Sequence, residues 1–160
     1  MKIKLLASLL MVSLGGALSA QNCSVSTSGT AFGDYSASSN QPRDTSGTIV
    51  VICHGTERSQ ISYTIKLGLG GGTFSLRQMK STNSSLSYGL YIDASRTQPW
   101  GDGTGGASYL SDSFSLINSS STKSYTVYGR IPTGQSLSLT GAYADSLTVT
   151  LTYSAGGGQN

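Results

Sequence analysis

The segment Asp145–Tyr153, D-S-L-T-V-T-L-T-Y, constrains the fold more than any other stretch of this chain. Leu147, Val149, Leu151 and Tyr153 fall on one side of an extended backbone, and Ser146, Thr148, Thr150 and Thr152 on the other. Side chains alternate between the two faces of a strand, so the pattern predicts a half-buried antiparallel strand. Only Ser154–Asn160, S-A-G-G-G-Q-N, follows it, and that tail is expected neither to pack nor to pair. The domain is therefore expected to stop one strand short. An open sheet edge is a place where another chain can add a strand.

The start of the chain reads as an address label. Lys2 and Lys4 precede the apolar run Leu5–Leu14, and Ala17-Leu18-Ser19-Ala20 suits cleavage before Gln21. This predicts a secretory signal peptide over residues 1–20. The run is too short to span a bilayer, and no later stretch is apolar enough to do so. Residues 21–160 then form one domain-sized unit carrying eight Lys/Arg against seven Asp/Glu, with no basic stripe for nucleic acid. So low a charge fits either a subunit packed against neighbours or a Ser/Thr-rich extracellular surface.

Many short alternating runs divided by Gly and Ser point to an all-β sandwich. Strands are expected at Cys23–Ser28 continuing through Thr30–Tyr35, at Gly47–His54, at Ile61–Leu67, and as a pair at Thr73–Met79 and Leu86–Ile92. Further strands are expected at Ser111–Ile117 on an edge, at Tyr125–Ile131, and at the end, with Gly134–Thr140 leading in. The run Ile49-Val50-Val51-Ile52 reads as a central strand buried on both faces. Ser36–Ser46 reads as a polar loop, and Asp93–Ser108 as a long loop carrying Trp100. About seven strands at this spacing match an immunoglobulin-like sandwich. Cys23 and Cys53, the only cysteines, are expected to pair in an exported chain, which adds ~3.5–4 kcal/mol on the loop-entropy model. Two free thiols are the alternative, and a metal pair with His54 has too few ligands.

Several segments occur together in a fixed order. Phe32-Gly33-Asp34-Tyr35 follows the first cysteine, and a buried strand ends in Cys53. Leu86–Tyr91, Asp93-Ala94-Ser95-Arg96-Thr97 and Trp100-Gly101-Asp102-Gly103 come next. Val127–Pro132, Gly134-Gln135 and Gly141-Ala142-Tyr143-Ala144-Asp145 then lead into the terminal strand. From Cys23 to Tyr153 this resembles the spore coat protein U domain, the fold of archaic chaperone–usher pilus subunits. The resemblance implies an incomplete immunoglobulin-like β-sandwich lacking its final strand. A periplasmic chaperone would lend that strand during export, an outer-membrane usher would follow, and neighbouring pilus subunits would replace it in the fibre. The expected strand-acceptor groove is lined by Leu147, Val149, Leu151 and Tyr153. One departure stands out: only Gln21 and Asn22 separate the expected cleavage point from Cys23, whereas a donor strand needs roughly five or six residues. The chain is thus expected to accept a strand and not to donate one. It would sit at a fibre end, belong to a coat that does not polymerise this way, or be cleaved elsewhere.

The remaining motifs carry weaker chemistry. His54, the single histidine, has no nucleophile and orienting acid placed around it by the sequence. There is no G-x-S-x-G elbow and no evident carboxylate pair, so no catalytic residue is assigned. Gly101–Gly106 lacks the Lys and Ser/Thr of a phosphate loop and reads as a turn; no metal or cofactor is expected. Among nine tyrosines, Tyr63 and Tyr153 are expected in the core. Tyr88, Tyr91 and Tyr109 with Trp100 form a candidate sugar- or surface-binding patch, set against ordinary sandwich packing. The alternative to a strand-accepting subunit is therefore a self-contained carbohydrate- or surface-binding sandwich.

Overall fold

A computed structural model describes residues 21–55, 59–116, 119–136 and 141–157. The signal peptide expected at residues 1–20, Ile117 and residues 137–140 lie outside them. The described residues form eight strands and no helix: β1 (Asn22–Thr27), β2 (Arg43–His54), β3 (Ser59–Leu67), β4 (Arg77–Lys80), β5 (Ser85–Tyr91), β6 (Leu110–Leu116), β7 (Ser120–Ile131) and β8 (Val149–Gly157). They build a five-stranded sheet ordered β1-β2-β7-β5-β4 and a three-stranded sheet ordered β6-β3-β8, with every pairing antiparallel. The inner faces meet in one core that includes Ile49, Val51, Ile61, Tyr63, Ile65, Leu90, Phe114, Val127 and Ile131. This is the expected all-β, immunoglobulin-like sandwich, with eight strands in place of about seven.

Several element boundaries move, each for a local reason. Thr30–Tyr35 is not a continuation of β1, because Gly29 and Gly33 take φ of 70° and 67° and break the extended chain. The chain crosses so close over β2 that a Cβ at Gly47 would lie 2.1 Å from the Gly29 carbonyl oxygen. β2 begins at Arg43, inside the expected polar loop. Asp44 faces Arg130 on β7, and Arg130 donates to both its carboxylate oxygens at 2.7 and 2.8 Å. Only one face of β2 is buried: Ile49 and Val51 are fully enclosed, whereas Val50 and Ile52 are half-exposed on the outer face. β4 is shorter than expected because Thr73 and Leu76 exchange backbone hydrogen bonds and close a turn before it.

The largest shift is at the end. The terminal strand runs from Val149 to Gly157, not from Asp145 to Tyr153. Ser154, Ala155, Gly156 and Gly157 pair with Ser62, Ile61, Gln60 and Ser59, so the tail that was expected to stay unpaired extends the ladder. Backbone groups pair without help from side chains, and β3 offers its whole length. Tyr153 is 38% exposed and not part of the core, although it stands directly opposite the buried Tyr63. β6 is an edge strand, as expected.

Two loops join the sheets. The loop between β5 and β6 drops Trp100 into the interior, where it is fully buried and its Nε1 donates to the Ile65 carbonyl at 3.1 Å. The guanidinium of Arg77, also fully buried, donates to the carbonyls of Phe74, Gly68 and Trp100 at 3.1, 3.1 and 2.8 Å. It has no carboxylate in contact, and burial lowers its pKa. Its work is to satisfy loop carbonyls that would otherwise be buried without partners.

Candidate functional site

β1 and β8 are edge strands of opposite sheets. Among the described residues β1 pairs only with β2, and β8 only with β3. They approach one another at the mouth of the sandwich, and none of the described strands lies between them. Beneath the mouth lies a hollow of about 250 Å³ lined by Thr27, Gly29 and Thr30 on the β1 side and Asp145, Leu147 and Val149 on the β8 side. Its floor is Ile49, Leu67, Tyr88, Leu90 and Val127, all inward residues of the two sheets. The hollow is an opening into the core itself.

The wall on the β8 side keeps the alternation seen in the sequence. From Tyr143 to Leu151 the odd-numbered residues are half-buried and the even-numbered ones exposed. Leu147, Val149 and Leu151 pack against the core without being covered by it. Three aliphatic side chains left half-wet at a sheet edge are apolar surface that an added strand would remove from water, at ~25 cal/mol per Å². Of the four expected groove residues, Leu147 and Val149 line the hollow, Leu151 continues the same wall, and Tyr153 stands outside.

The wall on the β1 side is tied down covalently. Cys23 and Cys53 are directly opposite in the β1–β2 ladder and are joined by a disulfide. Gly70, with φ of 65°, packs against Asp145 and Leu147 of the wall on the β8 side. A Cβ there would lie 2.4 Å from both Asp145 Oδ2 and Leu147 Cδ2, so only glycine lets this loop seat against the groove wall. Tyr88 Oη donates to Asp145 Oδ2 at 2.7 Å, and the Ser146 amide donates to Oδ1 at 2.9 Å. Burial, together with this hydrogen bond to a carboxylate, raises the Tyr88 pKa, so the phenol stays a donor.

The sequence does not single out Thr27, Gly29, Thr30 or Asp145. The first three are brought in by the crossing over β2. The odd-number spacing of Asp145 from Leu147 and Val149 is the one signal that places it on the groove face.

The candidate aromatic patch is not assembled. Trp100 is fully buried and Tyr88 is 3% exposed, so neither meets a surface ligand. Tyr91 is half-buried on β5 opposite Tyr128, and only Tyr109 is exposed, with Lys66 Nζ 5.0 Å from its ring centre. Trp100 fills the core between the sheets, where its apolar area and its N–H are both satisfied. His54 is exposed at the end of β2.

The family model for the Spore Coat Protein U domain matches residues 7–150. The chain belongs to the spore coat protein U domain family. Among solved structures, this spore coat protein U domain is similar to a chain of the CsuC–CsuE chaperone–tip adhesion subunit pre-assembly complex, from the archaic chaperone–usher Csu pili of Acinetobacter baumannii. The TM-score is 0.51 at 22% identity, covering 82% of this chain and 39% of that one. At that identity the likeness speaks for the fold. No curated protein matches this spore coat protein U domain.

Proposed function

We propose that this chain is a non-enzymatic structural or adhesive subunit of a chaperone–usher-type surface fibre or coat, assembled by accepting a donor strand between β1 and β8. The observation that carries this reading is the open hollow between two unpaired edges, with core residues as its floor. Family membership and the sandwich shared with a chain of a chaperone–subunit complex support it. A donor would gain main-chain hydrogen bonds along β8 and set alternate apolar side chains against Leu147, Val149 and Leu151. The partners on this reading are a periplasmic chaperone, an outer-membrane usher and neighbouring subunits. The route is export through the periplasm to the cell surface.

Co-expression with the chaperone of its own system tests the proposal. The expected result is a co-purifying complex in which the β8 amides gain hydrogen-exchange protection. Val149→Asp places a charge on the apolar wall and is expected to abolish capture while export continues. A protease-resistant monomer with the β8 amides that point away from β3 already protected, purified with no partner, would sink the proposal.

A further inference from the structure

The half-buried line on the β8 side begins with an acid. Asp145 has the same parity as Leu147, Val149 and Leu151 and borders the same hollow. An added strand running beside β8 presents a side chain to this wall at every second residue. Three of its side chains would meet aliphatic surface, and one would meet the carboxylate of Asp145.

That carboxylate has acceptor capacity to spare. Its two oxygens offer about four lone-pair directions, and donors among the described residues take two of them, one from Tyr88 and one from Ser146. The described ion pairs join Asp44 to Arg96 and Arg130, and Asp112 to Lys123; none includes Asp145. Arg77 feels the charge through space, but its Nη atoms bond the carbonyls of Phe74, Gly68 and Trp100 and its buried Nε bonds nothing among the described residues, so it makes no hydrogen bond to Asp145. A second strand seated here would strip water from a carboxylate only half supplied with partners. Desolvating it beside an apolar or acidic side chain is unfavourable, and beside a cationic donor it is favourable.

We infer that Asp145 is a specificity-determining residue of the groove. It selects a donor segment carrying Lys or Arg at the position next to the aliphatic alternation, and rejects an acid there. The inference rests on the strand-accepting reading and adds the chemistry of one donor position. Attraction selects the right segment and like-charge repulsion excludes the wrong one, so discrimination has both a positive and a negative part.

The test uses the exported chain refolded from urea with synthetic peptides of about nine residues, long enough for one strand. Each carries three alternating valines, with Lys, Leu or Glu two positions before the first valine or two positions after the last. The two placements cover both strand directions. In one placement the Lys peptide is expected to bind at least about 10-fold tighter than the Glu peptide, read by fluorescence anisotropy. Asp145→Asn keeps an acceptor for Tyr88 and is expected to bring Lys and Glu within about threefold. In the wild-type chain, raising salt from about 0.05 M to 0.5 M is expected to narrow the Lys-to-Glu ratio without any substitution. Equal binding of Lys and Glu peptides in both placements overturns the inference and leaves strand acceptance standing. Failure of every peptide to bind, Leu included, overturns both.

Discussion

Arg77 shows how one residue holds the sheets in their relative place. Its guanidinium ties Gly68 at the end of β3, Phe74 before β4 and Trp100 in the long loop. A planar fork can reach three carbonyls at once, and an ammonium on a flexible stem cannot. Arg77→Met is expected to leave those buried carbonyls unpaired, at about 1–3 kcal/mol each before relaxation. Arg77→Lys is expected to recover only part of that loss, and urea denaturation measures both. The same neighbourhood decides between the aromatic patch and ordinary sandwich packing, which the sequence left open. A lone Trp in a Gly-rich loop resembles an exposed binding residue, because loops lie on surfaces. Only the hydrogen bonds of its indole and carbonyl to residues 35 and 23 positions away place it inside, and such distant partners leave no local pattern. Asp145 was legible only as a spacing; its contact with Tyr88, 57 positions away, was not.

At the scale of elements, the two edges of the small sheet are treated differently. β8 is open, but β6 is occupied at its middle. The Ser113 amide donates to Asp112 Oδ1 at 2.7 Å, and the Ser113 carbonyl accepts from Lys123 Nζ at 2.7 Å. Lys123 also pairs with Asp112 at 2.8 Å, and Tyr125 Oη donates to Asp112 Oδ2 at 2.6 Å while bonding Tyr63 Oη. Charged side chains that take up edge backbone groups discourage foreign strands. Replacing both Asp112 and Lys123 by Ala is expected to produce concentration-dependent association through β6, seen by light scattering, with strand capture at β8 retained. The hydrogen bonds from Lys123 and Tyr125 hold the Asp112 carboxyl well down, to about 2. A carboxyl whose folded pKa is depressed adds stability above its ordinary value and loses it as pH falls through the folded one. The Asp112 contribution is therefore expected to be complete near neutrality and to fade from about pH 4 down to about pH 2. Acid titration of wild type against Asp112→Asn reads it as two melting curves that converge at low pH. Strand existence was mostly legible, since period-two alternation marks a half-buried strand wherever the outer face is Ser or Thr. Strand ends were not. Ser154–Gly157 pairs through peptide groups alone, and Arg43–Ser46 is fixed by a partner on β7.

The whole molecule is a sandwich whose mouth is framed by one covalently fixed wall and one hydrogen-bonded wall. The Cys23–Cys53 bridge fastens β1 to β2, while β8 is held by its ladder to β3. Changing both cysteines to Ser is expected to cost about 3.5–4 kcal/mol on the loop-entropy model. It is also expected to weaken chaperone capture, because β1 would fray and the groove would lose a wall; thermal melting and pull-down read the two effects separately. The overall architecture followed from composition and alternation. The hollow between β1 and β8 did not follow from the end of the chain, because Ser154–Gly157, expected to stay unpaired, extends the β8 ladder. The ladder of β8 continues through Gly156 and Gly157, which have no side chains to be read. On the strand-accepting proposal, a visiting segment would therefore zip onto this glycine stretch whatever its sequence. Its identity would be examined only as it advanced toward Val149, Leu147 and Asp145, so a mismatched visitor would slide off again before the core closed around it.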